Sequence, residues 1–229
     1  MSEKRCNIYA YRIVDLWELL MPCVWIRRFG LLLAALLAAP TLLRGALPTP
    51  AQAPPRVTLM GQLLIASPSI TDPRFYQAVI LMVRHDQRGA LGIALNRPME
   101  ERSLAALLEA TGEKDASVTG SVRVFAGGPV QPELGFVLHT LDYRRSDTME
   151  IDGRLAMTNS AEILRDIAHH QGPAKILIAF GYAGWGAGQL EGELDQGLWF
   201  TIPEDTNLVF DHDRGKLWDD AMKRRTQDL

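Results

Sequence analysis

Cysteine is almost missing from this chain: Cys6 and Cys23 lie near the N-terminus, and none follows residue 23. The bulk of the protein therefore has no disulfide framework, no thiolate nucleophile and no cysteine-based metal site. Basic charge is scarce as well. Beyond residue 55, eighteen Lys and Arg face twenty-four Asp and Glu, a net of −6, whereas a protein that grips duplex DNA needs clustered cations against the phosphates. The densest basic run, Lys223-Arg224-Arg225, sits beside Asp219 and Asp220, and no helix-turn-helix spacing stands out, so no nucleic-acid partner is expected. Long apolar runs are also lacking. The uncharged, Leu- and Ala-rich stretch of residues 29–43 is broken by Pro40 and falls short of the roughly twenty residues that a helix needs to cross a bilayer, so no stable membrane span is expected.

What is present is an ordinary globular composition, 47% hydrophobic and 22% charged over 229 residues, divided unevenly along the chain. Residues 1–55 carry a net charge of +3 and both cysteines, so they read as an N-terminal appendage to a domain spanning 56–229. Arg27-Arg28, the apolar run and Ala51-Gln52-Ala53 have the charge, length and small-residue ending of a secretory signal. Against that reading, the arginine pair lies far from Met1, and Pro54-Pro55 stiffen the chain where a protease would bind. The alternative is a translation start at Met21 or Met60, or an inert tail. Residues 46–55, with four prolines, read as linker. The remaining length suffices to bury a core without staples.

From about residue 60 the pattern becomes regular. Residues 78–83 and 176–180 are short, wholly apolar stretches suited to strands buried on both faces. Shorter strands are expected at 92–95, 122–125, 136–139 and 198–202, with a hairpin of 149–151 and 155–157 turning tightly at Asp152-Gly153. Three helical stripes can cover them. One follows Ser103 and stops at Gly112; one follows Asn159, with Glu162 three residues on, and stops at Gly172; the third contains Leu217, Trp218, Ala221 and Met222. The expected fold class is α+β, a coiled mixed β-sheet with a few covering helices.

Backbone freedom concentrates in Gly181-Tyr182-Ala183-Gly184-Trp185-Gly186-Ala187-Gly188, which reads as a loop between strand 176–180 and a helix starting near Gly188. Its spacing matches neither nucleotide fingerprint, and Glu191 in the first helical turn would repel a phosphate, so a neutral metabolite or a peptide strand against Tyr182 and Trp185 fits better. The structural reading is a corner in which the glycines pack against residues 96–98 or 127–129. His85 and His139 follow strands and could serve as general base or ligand pair, or simply bond backbone at strand ends. Asp72 or Glu191 could supply a third ligand, but no spacing defines a metal site and no cofactor is expected. Ser67, near Asp72 and His85, lacks the G-x-S-x-G elbow of a hydrolase nucleophile.

Several separate stretches, taken in order, resemble the AlgH/YqgE family of bacterial proteins. They are Leu63-Leu64-Ile65-Ala66-Ser67-Pro68 with Asp72-Pro73-Arg74-Phe75; His85 followed by Gly89-Ala90-Leu91-Gly92 and Asn96-Arg97-Pro98; Gly127-Gly128-Pro129-Val130; Gly135-Phe136-Val137-Leu138-His139; and Gly181-Tyr182-Ala183-Gly184-Trp185 leading into Gly188-Gln189-Leu190-Glu191 and Trp199. The resemblance covers residues 60–225. It implies one domain with a coiled sheet flanked by helices and a cytosolic location, which the long appendage opposes in favour of the periplasm if residues 21–53 act as a signal. It implies no particular activity; one branch is associated with regulation of exopolysaccharide synthesis and described as a transcriptional regulator. The expectation is a non-catalytic module binding a protein partner or small ligand, at a site formed by Asp72, Arg74, Phe75, His85, Asn96, His139, Tyr182 and Trp185. The alternative is a small-molecule enzyme with His85 or His139 as base and Arg74 or Asn96 orienting substrate.

Overall fold

The computed structural model describes residues 58–227; the appendage, its signal-like run and its linker lie outside the described residues. Ten strands form one curled sheet. Eight of them, β1 (Gln62–Ala66), β2 (Val79–Asp86), β3 (Gly89–Ala94), β6 (Val130–Thr140), β7 (Met149–Glu150), β8 (Leu155–Thr158), β9 (Ile176–Gly186) and β10 (Trp199–Pro203), lie in the order β10-β1-β2-β3-β9-β6-β8-β7. The other two, β4 (Pro98–Ser103) and β5 (Ser121–Ala126), attach through β5, which pairs in parallel with β9. Every other pairing is antiparallel.

The long strand β9 organises the sheet. Its first half lies between β5 and β6, with Ile178 opposite Val124 and Val137, and its second half pairs with β3 from Ala183 to Gly186. Between the halves sits Gly181, with φ of +72°, a conformation that glycine adopts without a Cβ penalty. A Cβ on Gly181 would lie 2.5 Å from the Gly128 carbonyl oxygen, and one on Gly127 would lie 2.3 Å from the Gly181 oxygen. Two backbones therefore touch where the sheet bends.

Among the described residues, four α-helices cover the outer faces. α1 (Leu104–Ala110) and α2 (Ala161–Ala168) belong to the β5-β9-β6 half, where Leu107 and Ile163 pack with Val124, Val137 and Ile178. α3 (Gln189–Asp195) covers the other half, with Leu190 against Leu64, Ile80, Met82, Ala90, Trp185 and Trp199. α4 (Leu217–Gln227) is tied to β1 by Trp218 Nε1 donating to the Ala66 carbonyl at 2.8 Å. Leu63, Ile65, Leu81 and Ile93, on the face turned away from α3, are fully buried as well, as expected for strands covered on both sides. The curl brings the two ends of the sheet together: Arg154, in the β7–β8 turn, reaches Glu204, directly after β10.

The α+β class and coiled sheet agree with the expectation, and Ser103 caps α1 by accepting from the Ala106 amide at 3.1 Å. Other details differ. The expected loop after residue 180 is strand through Gly186, because Ala183 and Trp185 alternate into the core while glycines allow close approach of neighbours. The β7–β8 turn is not a two-residue glycine turn: Gly153 does not take a positive φ, and Asp152 Oδ1 accepts from the Arg154 and Leu155 amides, closing residues 152–154 instead. α2 begins after Ser160 rather than Asn159 and ends at His169, with His170 at φ of +58°. Gly172 serves packing instead, since a Cβ there would meet Ile167 at 2.7 Å. Strands β1 and β4 and a π-helical turn at Asn207–Asp211 complete the set.

Candidate functional site

Pairing places His85 opposite Ala90 and Ala90 opposite Trp185, so His85 and Trp185 lie in one row across β2, β3 and β9, beneath α3. The helix contributes three polar side chains to this face. Glu193 Oε2 accepts from Trp185 Nε1 at 2.9 Å and from Trp199 Nε1 at 2.7 Å. Gln189 donates to Glu193 Oε1 at 2.9 Å and accepts from the Gly186 amide at 3.1 Å. Glu191 Oε1 lies 3.3 Å from His85 Nε2. Both tryptophan indole N–H groups thus have an acceptor, which a helix resting on aromatic side chains requires.

His85 also ties in the chain ahead of β1. Its Nδ1 accepts from the Leu59 amide at 3.0 Å. A backbone N–H only donates, so Nδ1 supplies the lone pair and the proton of the neutral ring sits on Nε2, facing Glu191.

Phe75 packs edge-on against Trp199 with centroids 5.9 Å apart, and Trp199 packs edge-on against Trp185 at 5.8 Å. This anchors the loop of residues 67–77 between β1 and β2. Asp72 caps it by accepting from the Arg74 amide at 2.9 Å, and its backbone carbonyl takes the Phe75 and Tyr76 amides. Asn96 holds the far end, donating to the Gln77 carbonyl at 2.8 Å and accepting from the Val79 amide at 3.0 Å, while Arg97 donates to the Tyr76 carbonyl. Gln77 is held at φ of +53°, a conformation costly for a non-glycine residue and sustained by these bonds. On this pinned loop the Arg74 side chain is 63% exposed and Tyr76 is 52% exposed. Arg74 also makes a two-point ion pair with Asp72, which lowers the Asp72 carboxyl from its ordinary range. Ser67, at the start of the loop, is buried with its hydroxyl 2.5 Å from that of Ser69.

Phe75, His85 and Trp185 therefore share one face, with Asp72 and Arg74 on the adjoining loop and Asn96 bracing it. The other two expected residues lie elsewhere. Tyr182 is three positions before Trp185 on a strand of period two, and so faces the opposite side, edge-on to Phe136 at 6.2 Å; burial pushes its phenol up. His139 lies in the β6-β8 half, fully buried. Its Nδ1 is 2.8 Å from the Thr140 carbonyl and must carry the proton, leaving Nε2 to accept from the Thr158 hydroxyl at 3.0 Å. Burial lowers the His139 pKa. Glu193 and Trp199 were not among the expected residues; the signal available was the Gln189 to Glu193 spacing of four, one turn apart on the helix and next to the row formed by Leu190 and Leu194. Among the described residues, no group of three or more His, Cys, Asp or Glu is placed to hold a metal ion, and no helix is long and apolar enough to cross a membrane.

A sequence model of the AlgH-like family matches residues 63–229. The chain belongs to the AlgH-like family. It is 42% identical over 166 residues to a UPF0301 protein of Rhizorhabdus wittichii, covering 72% of this chain and 89% of that one. A UPF0301 protein of Jannaschia sp. is 45% identical over 167 residues, covering 72% and 87%. The solution structure of the AlgH protein from Pseudomonas aeruginosa is similar with a TM-score of 0.64 and 39% identity, over 76% of this chain and 91% of that one. A Corynebacterium diphtheriae protein known from X-ray crystallography, at 24% identity and a TM-score of 0.58, shares the fold, over 72% and 85% of the two chains.

Proposed function

We propose that this AlgH-like protein is a non-catalytic regulatory module that recognises a protein partner through the loop of residues 67–77. The observation that carries this reading is a backbone pinned by Asp72, Asn96 and Arg97 and anchored by Phe75, yet presenting Arg74 and Tyr76 to solvent. Arginine and tyrosine dominate interface hot spots, and a loop already held in shape loses little entropy on docking. General-base chemistry at His85 or His139 fits the geometry less well. In the neutral ring of each, the one lone pair is already engaged, by the Leu59 amide in His85 and by Thr158 in His139, whereas a base needs a free lone pair within reach of substrate. Direct DNA binding also fits poorly, since Lys223 pairs with Asp220, Arg224 with Asp205, and Arg225 lies over the Phe200 ring. Any role in transcription runs through the partner, in the cytoplasm; mass-spectrometric mapping of the native N-terminus distinguishes this location from export.

The test is affinity purification with the wild type and with an Arg74→Ala/Tyr76→Ala variant whose thermal unfolding matches it. A stoichiometric partner recovered by the wild type and lost with the variant supports the proposal. An identical recovered set refutes it.

A further inference from the structure

On the opposite half of the molecule, β5 and the start of β9 face the π-helical turn and the segment leading into α4 across an open groove of about 480 Å³. Val122, Phe125, Ile176, Leu177 and Phe210 line its walls, and Arg214 projects a guanidinium into it, 5.5 Å from the Phe125 ring centroid. Arg214 donates to the Leu208 carbonyl at 3.0 Å and the Val209 carbonyl at 2.7 Å, groups that a π turn leaves without their usual partners. These bonds fix the direction of the guanidinium but do not neutralise it. Among the described residues no carboxylate forms an ion pair with Arg214: Asp211 is taken by Lys175, and Asp213 Oδ1 accepts from the Gly215 amide. Burial lowers the Arg214 pKa and outweighs the opposing charge of nearby Asp211, as expected for a cation partly withdrawn from solvent. Arg123, at the rim, adds positive charge, its nearest carboxylate contact being Glu101 at 3.5 Å. A cationic groove on an otherwise acidic protein is a local field for anions.

We infer that this groove is a binding site for a small carboxylate with a compact apolar body, its carboxylate on the Arg214 guanidinium and its body between Phe125 and Phe210. The volume suits a ligand of that size, and a guanidinium with remaining N–H groups matches a planar carboxylate fork. One half-buried guanidinium favours a singly charged acid over a phosphate dianion. The site is independent of the loop proposed above to dock a protein, so either assignment stands without the other.

The test uses the isotope-labelled full chain, titrated with 4-phenylbutyrate and, separately, with the neutral 4-phenylbutanamide, followed by two-dimensional nitrogen–proton NMR. Saturable shifts centred on the Arg214 side-chain Nε–H and the Gly215 and Leu177 amides are expected, with the amide analogue at least about tenfold weaker. Arg214→Gln is expected to weaken the acid by a similar factor and to leave the amide analogue unchanged. Arg123→Glu, an exposed rim change that does not depend on Arg214 tolerating replacement, is expected to weaken the acid several-fold. Equal affinity for acid and amide, shifts scattered over the surface, no localised shift, or acid binding insensitive to Arg123→Glu would overturn the assignment.

Discussion

Replacing Glu204 by Gln tests how the curled sheet closes. The Glu204 side chain is 1% exposed, at the point where β10 ends and the β7–β8 turn meets it. Burial, first, and then the hydrogen bond and negative charge of Asp152, push its carboxyl up to about 7 from an ordinary 4.5. Arg154 opposes this, but its side chain is 60% exposed and much of its charge is answered by water. A group whose folded pKa is raised contributes stability that is complete below its unfolded pKa and is lost as pH rises through the folded one. The loss here falls between pH 4.5 and about 7, and at 1.36 kcal/mol per pH unit it amounts to about 3 kcal/mol. Glutamine cannot ionise and has nearly the same shape. The stability difference between Glu204→Gln and wild type is therefore expected to rise by about 3 kcal/mol between pH 4.5 and pH 8, in favour of the variant, whatever constant offset the amide introduces. Urea denaturation across that range measures it, with unchanged m-values showing that the same surface is exposed in both proteins. A difference that stays flat with pH would refute the argument, because it would mean that Glu204 ionises as freely in the fold as in the unfolded chain.

Gly181→Ala combines φ of +72° with a Cβ 2.5 Å from the Gly128 oxygen and is expected to cost more than about 3 kcal/mol in chemical denaturation; Gly153→Ala, with nothing within 4 Å, should stay within about 0.5 kcal/mol of wild type. Glu193→Ala strands the indole N–H groups of Trp185 and Trp199 and is expected to cost about 2–4 kcal/mol, with a changed near-ultraviolet circular dichroism spectrum from the two tryptophans. Long-range nitrogen–proton NMR should find His139 protonated at Nδ1 and His85 at Nε2 in their neutral forms. Because burial lowers the His139 pKa, its contribution to stability is present above its unfolded value and is lost as pH falls through the folded one; a His139 resonance titrating at or above the ordinary imidazole value of 6.5 would refute this.

Much of the fold was legible because its signals are local. Residues 78–83 and 176–180 are apolar without interruption, as strands covered on both faces must be, and Ser103 caps α1 through its own hydroxyl. The amphipathic stripe after residue 160 identifies α2. Strand β4 was not legible: Pro98, Met99, Glu100, Glu101 and Arg102 have no apolar alternation, because the strand is exposed throughout and joins the sheet only at its edge. The extension of β9 through Gly186 was hidden by glycines, which signal a loop locally but here permit two backbones to approach.

The candidate site divides in the same way. The sequence by itself determined the residue types: an aromatic and glycine-rich segment, two histidines after strands, a loop with Asp72, Arg74 and Phe75, and a core without cysteine or surplus basic charge. The tertiary structure alone decided their company. Strand periodicity turned Tyr182 and Trp185 to opposite faces, register set His85 beside Trp185 and left His139 in the other half of the sheet, and the approach of β10 to the β7–β8 turn buried Glu204 against Asp152. Such pairings join positions as much as one hundred residues apart, as with His85 and Trp185, and depend on strand order and sheet curl, which no local pattern of side chains encodes.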